Sequence, residues 1–190
     1  MIWVNRPRRG AGEMCRCVDS STSVKGDSVY RNILIPTDGS ALAERAAIAA
    51  LDLAQALGAR VTALHVVPRF LAAPLDLWAH GGAPSQARLR AHFAAEGRRH
   101  LAFIRTLAQE RNVPCRCVCV NRDSPHEAIL AAARSHGCDL VFMASHGKRG
   151  NAAQLLGSET LKVLTHAEMP VMVHRESGLA GAGAARGRRR

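Results

Sequence analysis

The sequence predicts an α/β fold, a single doubly wound, Rossmann-like parallel sheet of five strands with helices on both faces. Short apolar segments alternate with helical ones from residue 31 to residue 176. Strands that are separated by helices need crossover connections, which produce a parallel sheet covered on both sides. A hydrophobic content of 47% over 190 residues is enough for one core and too little for two.

Local signals predict each element in order. The strands are predicted at residues 32–36, 60–67, 113–121, 139–144 and 171–174, and the helices at 40–57, 85–112, 124–136 and 157–169. Ser40 caps the first helix and Gly58 ends it. Ser124 and Glu127 predict a capping box, in which Ser124 accepts from the N3 amide and Glu127 reaches back to the cap. Gly97 lies inside the second helix and is expected to weaken it by about 1 kcal/mol relative to alanine.

The two ends of the chain have the composition of segments that do not fold. Residues 1–30 are predicted to be a flexible extension, and residues 177–190 a disordered basic tail of Gly, Ala and Arg. Much of the net charge of +11 lies there, because these two segments carry nine basic and three acidic side chains. The folded domain is predicted at residues 31–176. Only 4% of the residues are aromatic, so specific nucleic-acid binding is not expected.

The compartment is predicted from what the chain contains. No apolar run approaches the roughly 18 residues that span a bilayer, so we expect a cytoplasmic protein that binds no membrane. The six cysteines include no CxxC pair, and Cys115, Cys117 and Cys119 would share one face of the third strand. We expect buried or half-buried thiols that act as small hydrophobic side chains in a reducing cytosol, rather than a metal or redox site.

The ends of the predicted strands carry the candidate site. In doubly wound sheets, ligands bind beyond the carboxyl ends of strands, where the strand order reverses. Residues 36–40 follow the first strand, residues 66–67 close the second, and residues 143–147 end the fourth. Residues 157–158, a Gly-Ser pair, open the last helix, and such a start offers amides and a positive dipole end to an anion.

Each of these residues also has a purely structural interpretation. Asp38 would cap the first helix, His65 would be a hydrogen-bonded core histidine, and Met143 would pack in the core. His146 either orients a phosphate or braces its loop, and Lys148 is either a solvated charge or a bias toward anions. The residues alone leave these alternatives open.

Four segments carry a resemblance to a known family: residues 33–40 (ILIPTDGS), 63–67 (ALHVV), 139–147 (DLVFMASHG) and 155–158 (LLGS). Through them the chain resembles the universal stress protein family over about 145 residues. The nucleotide-binding branch of that family has glycine, two residues, glycine, nine residues, then glycine and Ser or Thr. Here Ala144 replaces the first glycine, while Gly147, the nine-residue gap, Gly157 and Ser158 are kept. Alanine disfavours a positive φ, so binding is expected to be weakened rather than abolished if the backbone at Ala144 is extended.

The resemblance implies a fold of the adenine nucleotide α-hydrolase type and a site for ATP, or for ADP, AMP or cAMP, with Mg²⁺ accompanying ATP. It implies that the main chain of Val66 meets the adenine, that Asp38 lies by the ribose, and that the phosphates meet amides and hydroxyls where the last helix begins. The implied nucleotide-binding residues are Pro36, Thr37, Asp38, Val66, Met143, Ala144, His146, Gly147, Lys148, Gly157, Ser158, Glu159 and Thr160.

The function implied by the resemblance is that of a stress-response sensor or switch, whose nucleotide occupancy changes contacts with protein partners that the sequence does not identify. A homodimer through residues 171–174 is implied as well. Two alternatives stay open, a nucleotide-free dimeric stress protein that acts through protein–protein contacts and a slow ATP hydrolase. Efficient hydrolysis is not expected, because Gly147 and Lys148 are followed by Arg149 and not by the hydroxyl residue of a Walker motif. No catalytic residue is assigned.

Overall fold

A computed structural model of the chain describes residues 29–68, 85–147 and 156–175. The predicted tail, nearly all of the predicted extension and Lys148 lie outside the described residues. The strands are β1 (Asn32–Thr37), β2 (Arg60–Val67), β3 (Cys115–Asn121), β4 (Leu140–Ala144) and β5 (Val171–His174). The helices are α1 (Ala41–Leu57), α2 (Gln86–Glu110), α3 (Pro125–Ser135) and α4 (Ser158–His166). No helix in these ranges has an apolar stretch long enough to cross a membrane.

The strands form one parallel sheet in the order β3-β2-β1-β4-β5, which confirms the predicted fold class. Three predicted boundaries were wrong. Helix α4 ends at His166 instead of residue 169, because Ala167 already has extended backbone with φ −74° and ψ 134°. The other two were wrong by two residues each. Helix α2 ends at Glu110 instead of Asn112, because Asn112 adopts a left-handed φ of 56°. Strand β3 begins at Cys115 instead of Val113, because the Val113 amide still closes the helix end by donating to the Ala108 carbonyl, at 2.9 Å.

The sheet is covered on both faces, as predicted. Alternate side chains of β1 point to opposite sides: Ile33 and Ile35 pack with α1 and α2, and Leu34 packs with α3 and α4. All three are fully buried. Burial of each such side chain contributes about 1.5–3 kcal/mol to folding, so these two apolar layers hold the strands whose ends form the candidate site.

The cysteines of β3 follow the same alternation. Cys115 and Cys117 are half-buried against the α1 and α2 side, and Cys138 is buried on the other side of the sheet. The expectation that all cysteines are at least half-buried was wrong for Cys119, which is exposed. Strand β3 lies at the edge of the described sheet, so its last residues have a neighbouring strand on one side only.

Helix α1 begins and ends as predicted. The Ser40 hydroxyl accepts a hydrogen bond from the Ala43 amide at 3.2 Å, and Gly58 ends the helix with a left-handed φ of 65°. Both positions are set by local chemistry, since serine is a preferred N-cap and glycine reaches positive φ without steric cost.

The predicted capping box of α3 was wrong. Ser124 makes no side-chain bond to the helix amides, and its hydroxyl lies instead 3.1 Å from Nδ1 of His126. The amide of His126 donates to Oε2 of Glu159, at 3.0 Å, and the same carboxylate oxygen lies 3.1 Å from Nδ1 of His126. A carboxylate from the first turn of α4 therefore caps α3, which ties the starts of the two helices together.

Glu159 is held by several hydrogen bonds that favour its charged form. Partial burial acts to raise the pKa of Glu159, but the hydrogen bonds from Lys162 and from His126 together outweigh burial and lower the pKa below its ordinary value of 4.5. The bond from Lys162 Nζ to Oε1 measures 2.8 Å. The contribution of Glu159 to stability is therefore present above about pH 4.5 and is lost as the pH falls through the lowered pKa.

Gly97 is explained by close packing between α2 and β2. A Cβ atom on Gly97 would lie 2.6 Å from Cδ2 of His65, which is closer than real Cβ contacts. His65 is itself fixed, because its Nδ1 lies 2.9 Å from the carbonyl oxygen of Thr37 at the end of β1. The expected cost of glycine to the helix is therefore offset by the close approach of a histidine ring.

We predict that Gly97→Ala destabilises the protein by about 1–3 kcal/mol, as overpacking does, although alanine on its own favours a helix by about 1 kcal/mol. The free energy of unfolding in urea measures the change. In a His65→Ala background the ring is absent, and the same substitution should be neutral or stabilising. An equal loss in both backgrounds would contradict this explanation.

We predict that Glu159→Gln destabilises the protein at pH 7, and that the difference from the wild type narrows as the pH falls below about 4.5. Thermal unfolding followed by circular dichroism from pH 7 to pH 3 measures this difference. Glu127→Gln, which removes the same charge from the exposed first turn of α3, is the matched control. A difference for Glu159→Gln that stays constant over the whole pH range would refute the prediction.

Candidate functional site

The described structure contains one point where the strand order reverses, between β1 and β4 at the centre of the sheet. The chain leaves β1 toward β2 on one side and leaves β4 toward β5 on the other, so the two connections separate and a crevice forms beyond the strand ends. Thr37 and Ala144 are the last residues of these two strands. Ligands of doubly wound sheets bind in such a crevice.

The β1 side of the crevice is a tight turn around Asp38. The Ser40 amide donates to Oδ1 of Asp38 at 3.0 Å, and the Gly39 amide donates to Oγ1 of Thr37 at 3.1 Å. Gly39 has a φ of +73°, and the ring of His100 fills the space that a Cβ atom on Gly39 would take. Asp38 thus supports the start of α1, as the structural interpretation of this residue predicts.

The β4 side brings Gly147 against Asp38. A Cβ atom on Gly147 would overlap Oδ2 of Asp38, so a side chain at position 147 would have to displace this carboxylate, whose other oxygen accepts from the Ser40 amide. The two residues are far apart in the sequence, and the sheet brings them together as the strand-end rule predicts. The carboxylate and the glycine backbone therefore face the same crevice.

The start of α4 is fixed onto the end of β4. The Gly157 amide donates to the Ser145 carbonyl at 2.7 Å, and the Thr160 hydroxyl donates to the Ala144 carbonyl at 3.1 Å. Ser145 and Thr160 are both buried. Gly157 and Thr160, two of the predicted phosphate contacts, therefore also hold α4 in place.

The first turn of α4 has no side-chain cap within the described residues. Its N-cap is Gly157, with φ −72° and ψ 155°, and glycine has no side chain that could accept from the free amides. The first amides of a helix have no partner inside the helix, and the helix dipole adds a partial positive charge. Since α3 is capped by Glu159, the two helix starts differ, and the α4 start is the one bonded to the end of β4 beside the crevice.

The main chain of Val66 also points toward the crevice. In a parallel strand the hydrogen-bonding groups of successive residues alternate between the two neighbouring strands. The Arg60 amide donates toward β1 and the Val67 carbonyl accepts from beyond β3, so Val66 faces the β1 side. The pairing with β1 ends where Thr37 lies opposite His65, one residue before Val66.

The other predicted site residues lie around these groups. Pro36 is half-buried in β1, and Met143 is buried with the α3 and α4 side of the core, as its structural interpretation predicts. His146 is half-buried, with Nδ1 3.2 Å from the Ser145 hydroxyl. The backbone of Ala144 is extended in β4, opposite His174 of β5. Its φ is not positive, so the alanine side chain causes no backbone strain.

Three residues that hold the site together were not predicted as site residues, although Ser145 lies within the predicted strand end at 143–147. Ser145 joins β4 to its surroundings through its main chain, because its amide donates to the His174 carbonyl at 2.8 Å and its carbonyl accepts from Gly157. His100 packs on Gly39 from α2, and His126 connects α3 to Glu159. The isolated glycine in the turn after β1 is a weak signal for the close approach of His100, the strand-end rule indicates the neighbourhood of Ser145 but not its bonds, and nothing in the sequence pattern indicates the role of His126.

Comparison with known proteins agrees with this architecture. The sequence model of the universal stress protein family matches residues 29–175. A universal stress protein of Thermus aquaticus is 33% identical over 150 residues, which cover 77% of this chain and 100% of that protein. One from Methanocaldococcus jannaschii is 30% identical over 151 residues, covering 78% of this chain and 84% of that protein.

Solved structures show the same fold. A universal stress protein family member from Burkholderia pseudomallei is 28% identical, with a TM-score of 0.61. The match covers 80% of this chain and 100% of that protein. More distant members, 19–20% identical, were solved with cAMP, with dAMP (Archaeoglobus fulgidus) and with AMP (Arabidopsis thaliana). At that identity the likeness to this chain shows the fold alone. From the matching family model and these relatives, the chain belongs to the universal stress protein family.

Proposed function

We propose that this universal stress protein binds ATP or a related adenine nucleotide in the crevice beyond β1 and β4, and that nucleotide occupancy acts as a switch in a stress response. The observation that carries the proposal is the start of α4, where a glycine N-cap leaves the first-turn amides without a side-chain partner among the described residues. Amides and a dipole in this position bind phosphate groups in many α/β proteins.

The described residues suggest how the nucleotide would lie. The main-chain groups of Val66 would read the edge of the adenine, and Asp38 would accept from a ribose hydroxyl. Gly147 would let the phosphates approach the backbone, and the Ser158 amide and hydroxyl would donate to them. Gly157 and Thr160 already donate to carbonyls of residues 144 and 145, so we assign to them the positioning of the turn.

Two further observations support an adenine nucleotide. Three relatives were solved with cAMP, dAMP and AMP, and adenine is the base that these three ligands share. Ala144, the residue that departs from the family motif, has extended backbone, so the missing glycine imposes no strain on the turn. We also propose that Mg²⁺ binds together with the ATP phosphates, and that Asp38, at the carboxyl end of β1, is the carboxylate near it.

A thermal-shift titration tests the proposal. ATP, ADP, AMP, cAMP and GTP are added with and without Mg²⁺, and binding should raise stability by RT ln(1 + [L]/Kd), about 2.7 kcal/mol at a hundredfold excess over Kd. We expect stabilisation by the adenine nucleotides and less by GTP. Phosphate release from ATP in the same samples measures slow hydrolysis. If the protein is well folded and no nucleotide changes its melting temperature, the alternative of a nucleotide-free stress protein is favoured.

We predict that Ser158→Pro abolishes the nucleotide-dependent stabilisation while the protein stays folded. Proline suits the first helical position because its missing N–H is one that the helix does not use. It also requires an extended preceding residue, which Gly157 already is, with φ −72° and ψ 155°. Ser158→Ala, which removes the hydroxyl but keeps the amide, is the matched control and should retain part of the stabilisation. Full stabilisation of the proline variant would show that this amide does not bind the ligand.

The proposal includes a homodimer through β5, which lies at the second edge of the described sheet. The carbonyls of Pro170 and His174 accept from β4, so by alternation the amides of Val171 and Val173 face the open edge. Met172 is 41% exposed there. An open strand edge with apolar side chains favours pairing with a second copy.

We predict that Val173→Pro converts the dimer to a monomer without unfolding it. Proline removes an amide that faces away from β4, and edge strands accept proline at such positions. Size-exclusion chromatography with light scattering measures the mass, and circular dichroism checks the fold. An unchanged dimer mass would place the interface elsewhere and would leave the nucleotide proposal untouched.

A further inference from the structure

A groove of about 560 Å³ runs between α2 and β3, on the side of the sheet away from the β5 edge. We call it the β3 groove. Its lining combines three arginines with small and apolar side chains and two thiols, namely Ala95, Arg98, Arg99, Leu101, Ala102, Arg105, Cys117 and Cys119. The volume is within the range of ligand sites, and no residue of the nucleotide crevice takes part in it.

The arginines give the β3 groove a positive charge that the described residues do not neutralise. Arg98, Arg99 and Arg105 are exposed, and none of them forms an ion pair within the ranges that the structure describes. By contrast, Arg111 at the end of the same helix pairs with Asp52 at 2.8 Å. Three cations that converge on one apolar groove attract an anionic partner.

Two of the arginines lie near the two ends of the exposed strand. Burial raises the pKa of the Cys119 thiol, and the charge of Arg98 acts against that rise. At the other end, burial raises the pKa of Cys115 to about 12, and Arg105 again acts in the opposite direction. Helix α2 is the crossover between the parallel strands β2 and β3, so it runs antiparallel to β3. Arg98 therefore lies toward the Cys119 end of the groove and Arg105 toward the Cys115 end.

The backbone of β3 offers hydrogen bonds along the same groove. The carbonyl of Pro114 and the amide of Arg122 both bond to β2, so by alternation the main-chain groups of Cys115, Cys117 and Cys119 face the open edge. Such an edge can accept a further strand, a common mode of peptide recognition. The edge and the arginines together define the chemistry of a partner.

We propose that the β3 groove binds an extended acidic peptide segment of a partner protein, which adds to β3 as a sixth strand. Main-chain bonds to the β3 edge hold the peptide, and its carboxylates pair with the arginines of α2. The two interactions select different properties, extended backbone and negative charge, so the site discriminates against helical and against neutral segments.

The geometry specifies the spacing of the acidic residues. Side chains of a strand alternate, so the peptide residues opposite Cys115, Cys117 and Cys119 all face α2. Acidic side chains opposite Cys115 and Cys119 are four residues and about 13 Å apart. Arg98 and Arg105 are seven residues and about 10.5 Å apart along α2, which matches within the reach of the side chains. The residue between the two acids faces Ala102 and is expected to be small and apolar.

Fluorescence anisotropy with the full chain under reducing conditions tests the proposal. The probe is a labelled seven-residue peptide with Glu at the second and sixth positions, Val at the fourth, and Ser or Thr elsewhere. We expect Arg98→Gln together with Arg105→Gln to weaken binding by about tenfold, as the loss of two exposed ion pairs allows. Arg88→Gln with Arg90→Gln removes the same charge from α2 outside the β3 groove and should change Kd less than about twofold.

Three controls separate the proposal from other interpretations. A probe with Gln at both acidic positions, or with its acids three residues apart, should bind more weakly. Hydrogen exchange should show that the bound peptide protects the amides of Cys117 and Cys119, which a purely electrostatic contact would leave exposed. The proposal would be overturned if the Gln probe bound as tightly as the acidic probe, or if both double arginine variants weakened binding equally. It would also be overturned if the edge amides of β3 stayed unprotected in the complex. Tighter binding of a single-stranded oligonucleotide of equal charge would replace the peptide with nucleic acid.

Discussion

The main chain of Ser145 is the point on which the arrangement of the crevice depends. Its amide donates to the His174 carbonyl of β5, and its carbonyl accepts from the Gly157 amide at the start of α4. One residue beyond the end of β4 thus joins two later elements of the chain. Ser145 is 2% exposed, so these bonds lie out of competition with water and hold the start of α4 at a defined distance from the sheet.

A second constraint acts from α2 on the opposite side. His65 packs into the space left by Gly97, and His100 packs into the space left by Gly39, with the two rings 5.4 Å apart. Each ring is thus matched to a glycine on the neighbouring element. Because His65 also contacts the Thr37 carbonyl, the histidine pair fixes the turn that carries Asp38. The crevice is therefore held by buried hydrogen bonds on the β4 side and by ring packing on the β1 side.

What could be predicted followed either from local signals or from the general topology of parallel sheets. The cap of α1 by Ser40 and its end at Gly58 follow from the chemistry of single residues, and the meeting of Asp38 with Gly147 follows from the strand-end rule. Ser124 and Glu127 have the pattern of a capping box, yet Glu159 of another helix takes that role. No local pattern contains a contact between residues 33 positions apart, and the same holds for Gly97, whose packing partner is on β2.

The two edges of the described sheet differ in charge, and this difference supports the different partners that we propose for them. The residues of β5 are Val, Met, Val and His, so the strand itself contains no arginine, lysine or carboxylate, and Arg175 follows it. Two copies that paired through β3 would bring Arg98, Arg99 and Arg105 of each protomer together, and like charges that face each other destabilise strand pairing. The charges therefore support the proposal of self-association at β5 and of a partner of opposite charge at β3. Ser145 bonds to β5 and to Gly157, so within the described residues the edge proposed for self-association is connected directly to the start of α4, and β3 has no such bond.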